Sequence, residues 1–314
     1  MTSNVVLFGG NSHPHLSKKI SNYLDIPVGK AVVQQFSDGE SRVELHENVR
    51  GRDVFIVQST SYPANHHIME ALVIVDACRR ASAQNITLLT PYFGYARQDR
   101  KTASRTPISA KLVAELFEAA GIDRLLALEL HNSAIQGFFN VPVDHLFSKS
   151  VFYQYIKTHM PTQDLLVISP DAGGVERSRA MAKKLKTGLA IIDKRRDKPN
   201  ESEVLHIIGD IKGKHCLIID DMVDTGGSLV KAAQALIENG AKSASAAITH
   251  PVLSGSAVSL IAESPLSQLV VTDSIPLSQK AQQCAKIVQI SIAQLMGEAI
   301  RRVHHRDSVS SLFL

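Results

Sequence analysis

One stretch of the chain, His215–Leu229, constrains the fold more than any other. Its sequence, HCLIIDDMVDTGGSL, starts as an apolar run, passes through three acidic residues and ends in a glycine-rich turn before an amphipathic pattern. This order predicts a buried β-strand, a tight loop and the N-terminus of an α-helix. Backbone N–H groups in such a loop can surround a phosphate, and the helix dipole favours its negative charge. The stretch therefore predicts a strand–loop–helix unit that binds a phosphate group.

The acidic residues of this stretch indicate what the phosphate is attached to. Asp220 and Asp221 would repel a phosphate, whereas carboxylates accept hydrogen bonds from vicinal hydroxyls. Gly226 and Gly227 allow close approach of the backbone, because they carry no Cβ. Together these features predict a ribose 5-phosphate site. The alternative is an acidic loop that merely caps a helix, with Asp224 or Thr225 as the N-cap residue.

The rest of the chain repeats a β-then-α order, which predicts an α/β fold with mostly parallel sheets. Several strand-like segments are continuous apolar runs, as expected for strands that are covered on both faces. With 314 residues the chain is long enough for two domains. A boundary is expected near residues 140–150, where Pro142 interrupts the pattern, and Thr106-Pro107 is expected to begin a helix. The predicted strands are Val5–Phe8, Asp53–Gln58, Ile86–Pro91, Leu125–Leu130, Leu165–Ser169, Leu189–Asp193, Cys216–Asp220, Ala244–Thr249 and Leu269–Thr272.

Composition argues against several functional classes. No apolar run is long enough to cross a bilayer, and the N-terminus lacks the pattern of a secretion signal, so a cytoplasmic protein without membrane partners is expected. The three cysteines show neither paired nor metal-ligand spacing. A net charge of only +4 and the absence of tryptophan give little support for a nucleic-acid partner. Two basic runs, residues 97–105 and 194–198, suit a small polyanionic ligand or are ordinary solvated loops.

Further polar segments follow predicted strands or turns, and such loops converge at the carboxyl edge of a parallel sheet. The polar segments are FSDGESR at 36–42, YARQDRK at 95–101, LHNSAIQGFF at 130–139, SPDAGGV at 169–175 and DKRR at 193–196.

The histidine pairs His66-His67 and His304-His305 are expected to be solvated surface rather than chelating pairs, because adjacent helical residues do not share a face.

Taken in order, these segments and DDMVDTGGS at 220–228 resemble the bacterial type of ribose-phosphate pyrophosphokinase, the family of phosphoribosyl pyrophosphate (PRPP) synthetases. The resemblance covers nearly the whole chain. It implies two tandem phosphoribosyltransferase-like domains, each a mostly parallel sheet flanked by helices. The implied domains are residues 1–146, on the ATP-binding side, and 147–314, with the ribose 5-phosphate site and a last helix that packs back on the first domain.

The resemblance also implies roles for individual residues. Lys194 and Arg196 match a catalytic loop, and Arg196 also matches a ribose 5-phosphate contact. His131 and Asp171 match positions that bind magnesium, with His131 acting directly or through a metal-bound water. The implied ATP contacts are Asp38, Gly39, Glu40, Arg97, Gln98, Asp99 and Arg100. The implied ribose 5-phosphate contacts are Asp220, Asp221, Asp224, Thr225, Gly226, Gly227 and Ser228.

The implied reaction is Mg²⁺-dependent transfer of the diphosphoryl group of ATP to the 1-hydroxyl of ribose 5-phosphate, which yields PRPP and AMP for nucleotide biosynthesis. The implied assembly is a homohexamer in which a neighbouring subunit completes the ATP site. One alternative is a type I phosphoribosyltransferase, which would not depend on ATP. Others are a catalytically inactive regulatory subunit or a PRPP-sensing repressor; the sequence retains Lys194 and Arg196 and contains no visible DNA-binding segment.

Overall fold

The chain divides into two compact units in a computed structural model that describes residues 4–195 and 204–313. The first unit comprises Met1–Phe147, Ser274–Pro276 and Ser291–Leu314. The second comprises Ser148–Asp273 and Leu277–Ile290. Each unit contains its own sheet and its own hydrophobic core.

The first unit contains a five-stranded parallel sheet in the order β1-β4-β5-β6-β7, together with the antiparallel hairpin β2–β3. Its helices before residue 147 are α1 (Pro14–Leu24), α2 (Ala64–Arg80) and α3 (Ser109–Ala120). The strands are β1 (Val5–Gly9), β2 (Ala31–Gln35), β3 (Ser41–Leu45), β4 (Asp53–Val57), β5 (Asn85–Thr90), β6 (Arg124–Leu128) and β7 (Val143–Leu146).

The second unit contains a seven-stranded sheet in the order β10-β9-β8-β11-β12-β13-β14, which is parallel except for the β9–β10 pair. Its strands are β8 (Leu165–Ser169), β9 (Gly188–Arg195), β10 (Val204–Ile208), β11 (His215–Val223), β12 (Ser243–Pro251), β13 (Leu266–Thr272) and β14 (Ile287–Ile290). Its helices are α4 (Lys149–His159), α5 (Val175–Leu185), α6 (Gly227–Glu238), α7 (Ala257–Glu263) and α8 (Gln279–Gln282). The last helix, α9 (Ala293–His305), belongs to the first unit and contacts α1.

Strand β11 shows why the apolar runs of this sequence are continuous. Ile218 packs into a cluster with α6, which includes Leu236, on one face of the sheet. Its neighbours Leu217 and Ile219 belong to a second cluster with α4 and α5 on the other face. Because successive side chains of a strand point to opposite faces, both faces of this sheet are buried. The predicted α/β fold class is confirmed.

Within residues 140–150, where a domain boundary was expected, Pro142 leads directly into the edge strand β7, which pairs with β6, and the N-terminal part of the first unit ends at Phe147. Two local predictions were wrong. Helix α3 begins at Ser109 rather than at Pro107, and the hydroxyl of Thr106 donates to the carbonyl of Ala103 instead of capping the helix. His67 is buried, with its Nδ1 2.8 Å from the carbonyl oxygen of Ser61, so it is not solvated surface.

Burial also determines the protonation state of two cysteine thiols. Burial raises the pKa of Cys78 to about 12 and that of Cys216 to about 11, so both stay protonated at neutral pH and act as small core residues. Among the described helices, none combines the length and the apolar character that a bilayer-spanning segment needs.

The contact between α9 and α1 depends on one glycine and one carboxylate. A Cβ on Gly297 would lie 2.4 Å from Cδ1 of Tyr23, so the close approach of the helices requires glycine here. The adjacent Glu298 accepts hydrogen bonds from the hydroxyl of Tyr23 and from the guanidinium groups of Arg301 and Arg302. The hydrogen bonds from Arg301, then those from Arg302 and Tyr23, lower the pKa of Glu298 to about 2 against the opposing effect of burial.

This arrangement predicts a pH-dependent contribution to stability. Glu298→Gln is expected to lower the free energy of unfolding at neutral pH. The effect should be only about 1 kcal/mol, because solvent around the exposed arginine side chains screens their attraction to Glu298. A carboxylate whose pKa is lower in the folded protein stabilises the fold fully at pH values above its unfolded pKa of 4.5. The difference in unfolding free energy between wild type and variant should therefore shrink as the pH falls toward 2. Urea denaturation at several pH values measures it, with Glu115→Gln on α3, more than half exposed, as the control. A difference that does not change with pH would contradict this assignment.

Candidate functional site

The sheet of the second unit reverses its strand order between β8 and β11. The chain passes from β8 to β9 on one side, and then to β11 on the other side of β8. At such a switch point the loops that follow the two strands diverge and leave a crevice outside their carboxyl ends, where ligands of open α/β sheets bind. Asp171 follows β8, and Asp220 to Ser228 occupy the end of β11, the turn after it and the start of α6. The predicted ribose 5-phosphate residues therefore flank this crevice.

Two adjacent carboxylates at the end of β11 share one arginine. Nη1 of Arg177, in the first turn of α5, lies 3.5 Å from Oδ1 of Asp220 and 3.5 Å from Oδ1 of Asp221. Asp221 exposes only 6% of its side chain, whereas Asp220 exposes 28% and faces the solvent side of the pair. Asp220 Oδ1 also accepts a hydrogen bond from the backbone N–H of Asp221 at 2.9 Å. A fixed, partly exposed acceptor of this kind suits the hydroxyls of a sugar.

Two opposing effects act on the pKa of Asp220. Burial, followed by the neighbouring charge of Asp221, raises the pKa of Asp220 well above its ordinary value. The Arg177 guanidinium and the N–H of Asp221 act in the opposite direction and favour the ionised form. Arg177 therefore increases the fraction of Asp220 that is ionised and can act only as a hydrogen-bond acceptor.

The turn after β11 presents a helix N-terminus without a side-chain cap. Gly226 is the N-cap residue of α6, and its φ of +79° is a left-handed conformation that favours glycine. No side chain caps the helix, so the interpretation of Asp224 or Thr225 as a helix cap was wrong. Asp224 instead accepts a hydrogen bond of 2.5 Å from the hydroxyl of Ser254, which lies in the loop after β12. The positive end of the α6 dipole at Gly227 and Ser228 is suited to an anionic group such as phosphate.

Asp171 lies in the turn between β8 and α5. Its Oδ1 accepts a hydrogen bond of 2.9 Å from the backbone N–H of Gly174, and Ser169 donates its hydroxyl hydrogen to the Asp171 carbonyl. These bonds fix the carboxylate at the mouth of the crevice, where a hard cation that prefers oxygen ligands can be held. Lys194 occupies a position near the carboxyl end of β9, opposite Leu205 of β10. Arg196 lies outside the described residues.

The implied ATP residues of the first unit form two groups. Asp38, Gly39 and Glu40 lie in the exposed turn of the β2–β3 hairpin, where the Glu40 N–H donates to Oδ1 of Asp38 at 3.1 Å. The turn closes with hydrogen bonds from Phe36 N to Glu40 O and from Gly39 N to Phe36 O. The second group, Arg97 to Arg100, lies in the loop after β5.

The loops after β5 and β6 meet at the carboxyl edge of the first sheet. Asn132 donates a hydrogen bond of 2.8 Å to Oδ2 of Asp99, which brings the exposed His131 close to the implied ATP loop. Gln98 is held by the Ser109 hydroxyl, 2.5 Å from its Oε1, at the start of α3. His131 and Asp171, the two implied metal ligands, belong to different units. Among residues 4–195 and 204–313, no three His, Cys, Asp or Glu side chains form a metal-binding cluster.

Comparison with known proteins identifies the family of this chain. Residues 5–121 match the family model described as the N-terminal domain of ribose phosphate pyrophosphokinase, and residues 195–314 match the phosphoribosyl synthetase-associated domain. The ribose-phosphate pyrophosphokinase of Agrobacterium fabrum is 55% identical over 307 residues, which are 98% of this chain and 99% of the relative. That of Ralstonia nicotianae is 52% identical over 310 residues, 98% of each chain. The chain belongs to the ribose-phosphate pyrophosphokinase family.

A solved structure of the same family also has the same fold. The crystal structure of phosphoribosylpyrophosphate synthetase from Mycobacterium smegmatis aligns with a TM-score of 0.92 and 39% identity, over 97% of this chain and all of that one. The resemblance inferred from the sequence motifs is therefore confirmed.

Arg177 is a residue of the candidate site that the sequence motifs did not indicate. The segment Val175–Leu185 carries four basic residues, Arg177, Arg179, Lys183 and Lys184, and Lys186 follows at its C-cap, so the sequence does not distinguish Arg177 from solvated surface charge. The available signal was its position, since a side chain in the first turn after the β8 loop faces the same crevice as the end of β11.

We predict that Arg177→Gln weakens the binding of ribose 5-phosphate by about tenfold at pH 7, because the pKa of Asp220 rises further when the guanidinium is removed. The loss should be smaller at pH 9, where a larger fraction of Asp220 is ionised in both proteins than at pH 7. Isothermal titration calorimetry at the two pH values measures both effects. The control is Arg179→Gln, an exposed residue on the same helix, which should bind like wild type. Unchanged affinity of the Arg177 variant at pH 7 would contradict the role given to this residue.

Proposed function

We propose that this pyrophosphokinase transfers the diphosphoryl group of ATP to the 1-hydroxyl of D-ribose 5-phosphate, giving PRPP and AMP. The observation that carries the proposal is the pairing of two adjacent carboxylates with an uncapped helix N-terminus at the switch point of the second sheet. One ligand that satisfies both is a sugar with vicinal hydroxyls and a terminal phosphate. Two relatives that are more than half identical over almost the whole chain carry the corresponding name.

Ribose 5-phosphate would bind with its phosphate at the turn from Thr225 to Ser228 and its ring hydroxyls at Asp220 and Asp221. The α6 dipole attracts the phosphate, and the two carboxylates accept hydrogen bonds from the hydroxyls. Asp224 would act from the side of the turn, where its bond to Ser254 fixes its carboxylate. This orientation leaves the 1-hydroxyl directed away from the phosphate and toward the crevice, where a second substrate can approach.

ATP would use the first unit. The adenine end would meet the hairpin turn with Asp38, Gly39 and Glu40, and the phosphates would be neutralised by Arg97 and Arg100, with Gln98 and Asp99 between them. Exposure supports the first assignment, because the turn stands in solvent and Phe36 beside it exposes 51% of its surface. The two exposed arginines in one loop support the second.

We propose that Mg²⁺ is the cofactor, held at His131 and Asp171. The carboxylate of Asp171 is an oxygen donor of the kind that Mg²⁺ prefers, and His131 lies one residue from Asn132, which is bonded to the Asp99 carboxylate. When bound, the cation would neutralise charge on the phosphates. Lys194 and Arg196 would stabilise the charge that develops on the transferring group, since diphosphoryl transfer depends mainly on positioning and electrostatics.

We further propose a cytoplasmic homohexamer in which the hairpin turn of one subunit completes the ATP site of another, with the boundary between two catalytic domains at residue 146. Phe36 is an exposed aromatic residue beside the exposed acidic turn, and exposed aromatic residues are common in subunit interfaces. Sedimentation equilibrium with and without ATP tests the assembly.

The reaction is tested by product analysis. The purified protein, incubated with ATP, Mg²⁺ and inorganic phosphate, should release AMP only when ribose 5-phosphate is present. Formation of ADP would indicate an ordinary kinase, and PRPP consumption without ATP would indicate a phosphoribosyltransferase. A protein with no activity under all these conditions would instead be a regulatory subunit.

Lys194→Ala should lower kcat by about a hundredfold or more, because a cation that acts mainly in the transition state supplies about 3 kcal/mol. Binding of ribose 5-phosphate to the variant should stay close to that of wild type. Lys183→Ala, which removes an exposed lysine of α5, is the matched control and should keep full activity. An equal loss of ribose 5-phosphate affinity in the Lys194 variant would contradict a role confined to the transition state.

A further inference from the structure

A buried carboxylate lies beneath the hairpin of the first unit. Glu70 of α2 has no exposed surface, and it accepts hydrogen bonds from the backbone N and the side-chain Nδ2 of Asn11, both at 2.7 Å. Nε2 of Gln58 donates a third bond at 2.8 Å, and Nε2 of His66 lies 3.6 Å away, one helical turn earlier. A buried carboxylate without such partners would be strongly destabilising, so these groups are held in place around it.

Two of the partners extend from Glu70 to the hairpin. Nδ2 of Asn11 has two hydrogens; one is donated to Glu70 and the other to the carbonyl of Val33 in β2, at 3.0 Å. Because the carboxylate accepts only, it fixes the orientation of the Asn11 amide, and the amide in turn fixes β2. This is the first link between the buried carboxylate and the hairpin.

The second link runs through His66. Its Nδ1 lies 2.9 Å from Nε2 of Gln35, the last residue of β2. An amide nitrogen donates only, so Nδ1 is the acceptor and the ring proton is on Nε2, toward Glu70. The same Gln35 nitrogen lies 3.4 Å from the carbonyl of Gly39, within the hairpin turn. The carboxylate is thereby connected, through two side chains, to the turn itself.

We propose that Glu70 is a positioning residue that sets the orientation of the hairpin turn at residues 36–40, and through it the affinity for ATP. The inference rests on the proposed function, since it takes this turn as an ATP contact. A third branch from Glu70, through Gln58 to Ser12, stays inside the core of the unit, so Glu70 also contributes to stability. The test must therefore separate positioning from stability.

The link variants Asn11→Ser and His66→Ala, combined in one protein, make this separation. They remove both connections to the hairpin but retain the bonds that Glu70 accepts from the Asn11 backbone and from Gln58. The KM for ATP should rise by about tenfold, because a displaced contact residue loses much of its binding contribution. The KM for ribose 5-phosphate should be unchanged, because its proposed site is in the other unit. Glu70→Gln should change the KM for ATP in the same direction.

Hydrogen exchange provides a measurement that does not depend on activity. The N–H groups of Phe36 and Gly39, which close the turn, should exchange about tenfold faster in the link variant and in Glu70→Gln than in wild type. Asp76→Asn, a change of an exposed carboxylate on the same helix, should alter neither exchange nor KM.

Unchanged exchange at the hairpin together with an unchanged KM for ATP in the link variant would overturn the proposal and leave Glu70 as a stabilising residue only. Faster exchange with an unchanged KM for ATP would show that Glu70 positions the turn but that the turn does not contact ATP, which overturns the functional half. If wild type forms no AMP, the proposed function fails, and the exchange measurement still decides whether Glu70 orients the hairpin.

Discussion

The two parallel sheets impose the constraint on which both candidate sites depend. A parallel strand can be followed by its neighbour only after a crossover, and the loops after adjacent strands therefore gather at one edge. In the second unit the reversal of order between β8 and β11 opens a crevice, and Arg177 reaches across it to Asp220 and Asp221. In the first unit the same geometry brings the loop of Asp99 to Asn132. The chemistry thus lies on loops, while the buried strands fix where those loops begin.

Fold elements with a continuous apolar run could be predicted from the sequence, because burial on both faces leaves a strong local signal. Strand β11 is an example, although it extends to Val223 rather than ending at Asp220, since pairing with β12 continues the hydrogen-bond ladder past the acidic residues. The hairpin β2–β3 and the edge strand β7 were missed. No residue of the hairpin strands is fully buried, so their pattern is weak, and Pro142 suggested an interruption where β7 starts.

The candidate site could be predicted where a motif is contiguous, as from Asp220 to Ser228, and not where partners are distant in the chain. Arg177 and Glu70 show the two ways in which this fails. In the sequence Arg177 is one of several charges on a polar helix, and only tertiary structure directs it at two carboxylates. Nothing in the sequence distinguishes Glu70 from an ordinary helix residue, yet it is fully buried, and Asn11 and Gln58, from two other loops, supply the hydrogen bonds that it needs.

The central claim, transfer of a diphosphoryl group, is tested most directly by following each phosphate of ATP. ATP labelled with one phosphorus isotope at the α position and a second at the γ position would be incubated with the protein, Mg²⁺ and ribose 5-phosphate. The account predicts that the γ label appears in the sugar product and the α label in AMP, in equal amounts. Recovery of the γ label as inorganic phosphate, or of the α label in ADP, would contradict it.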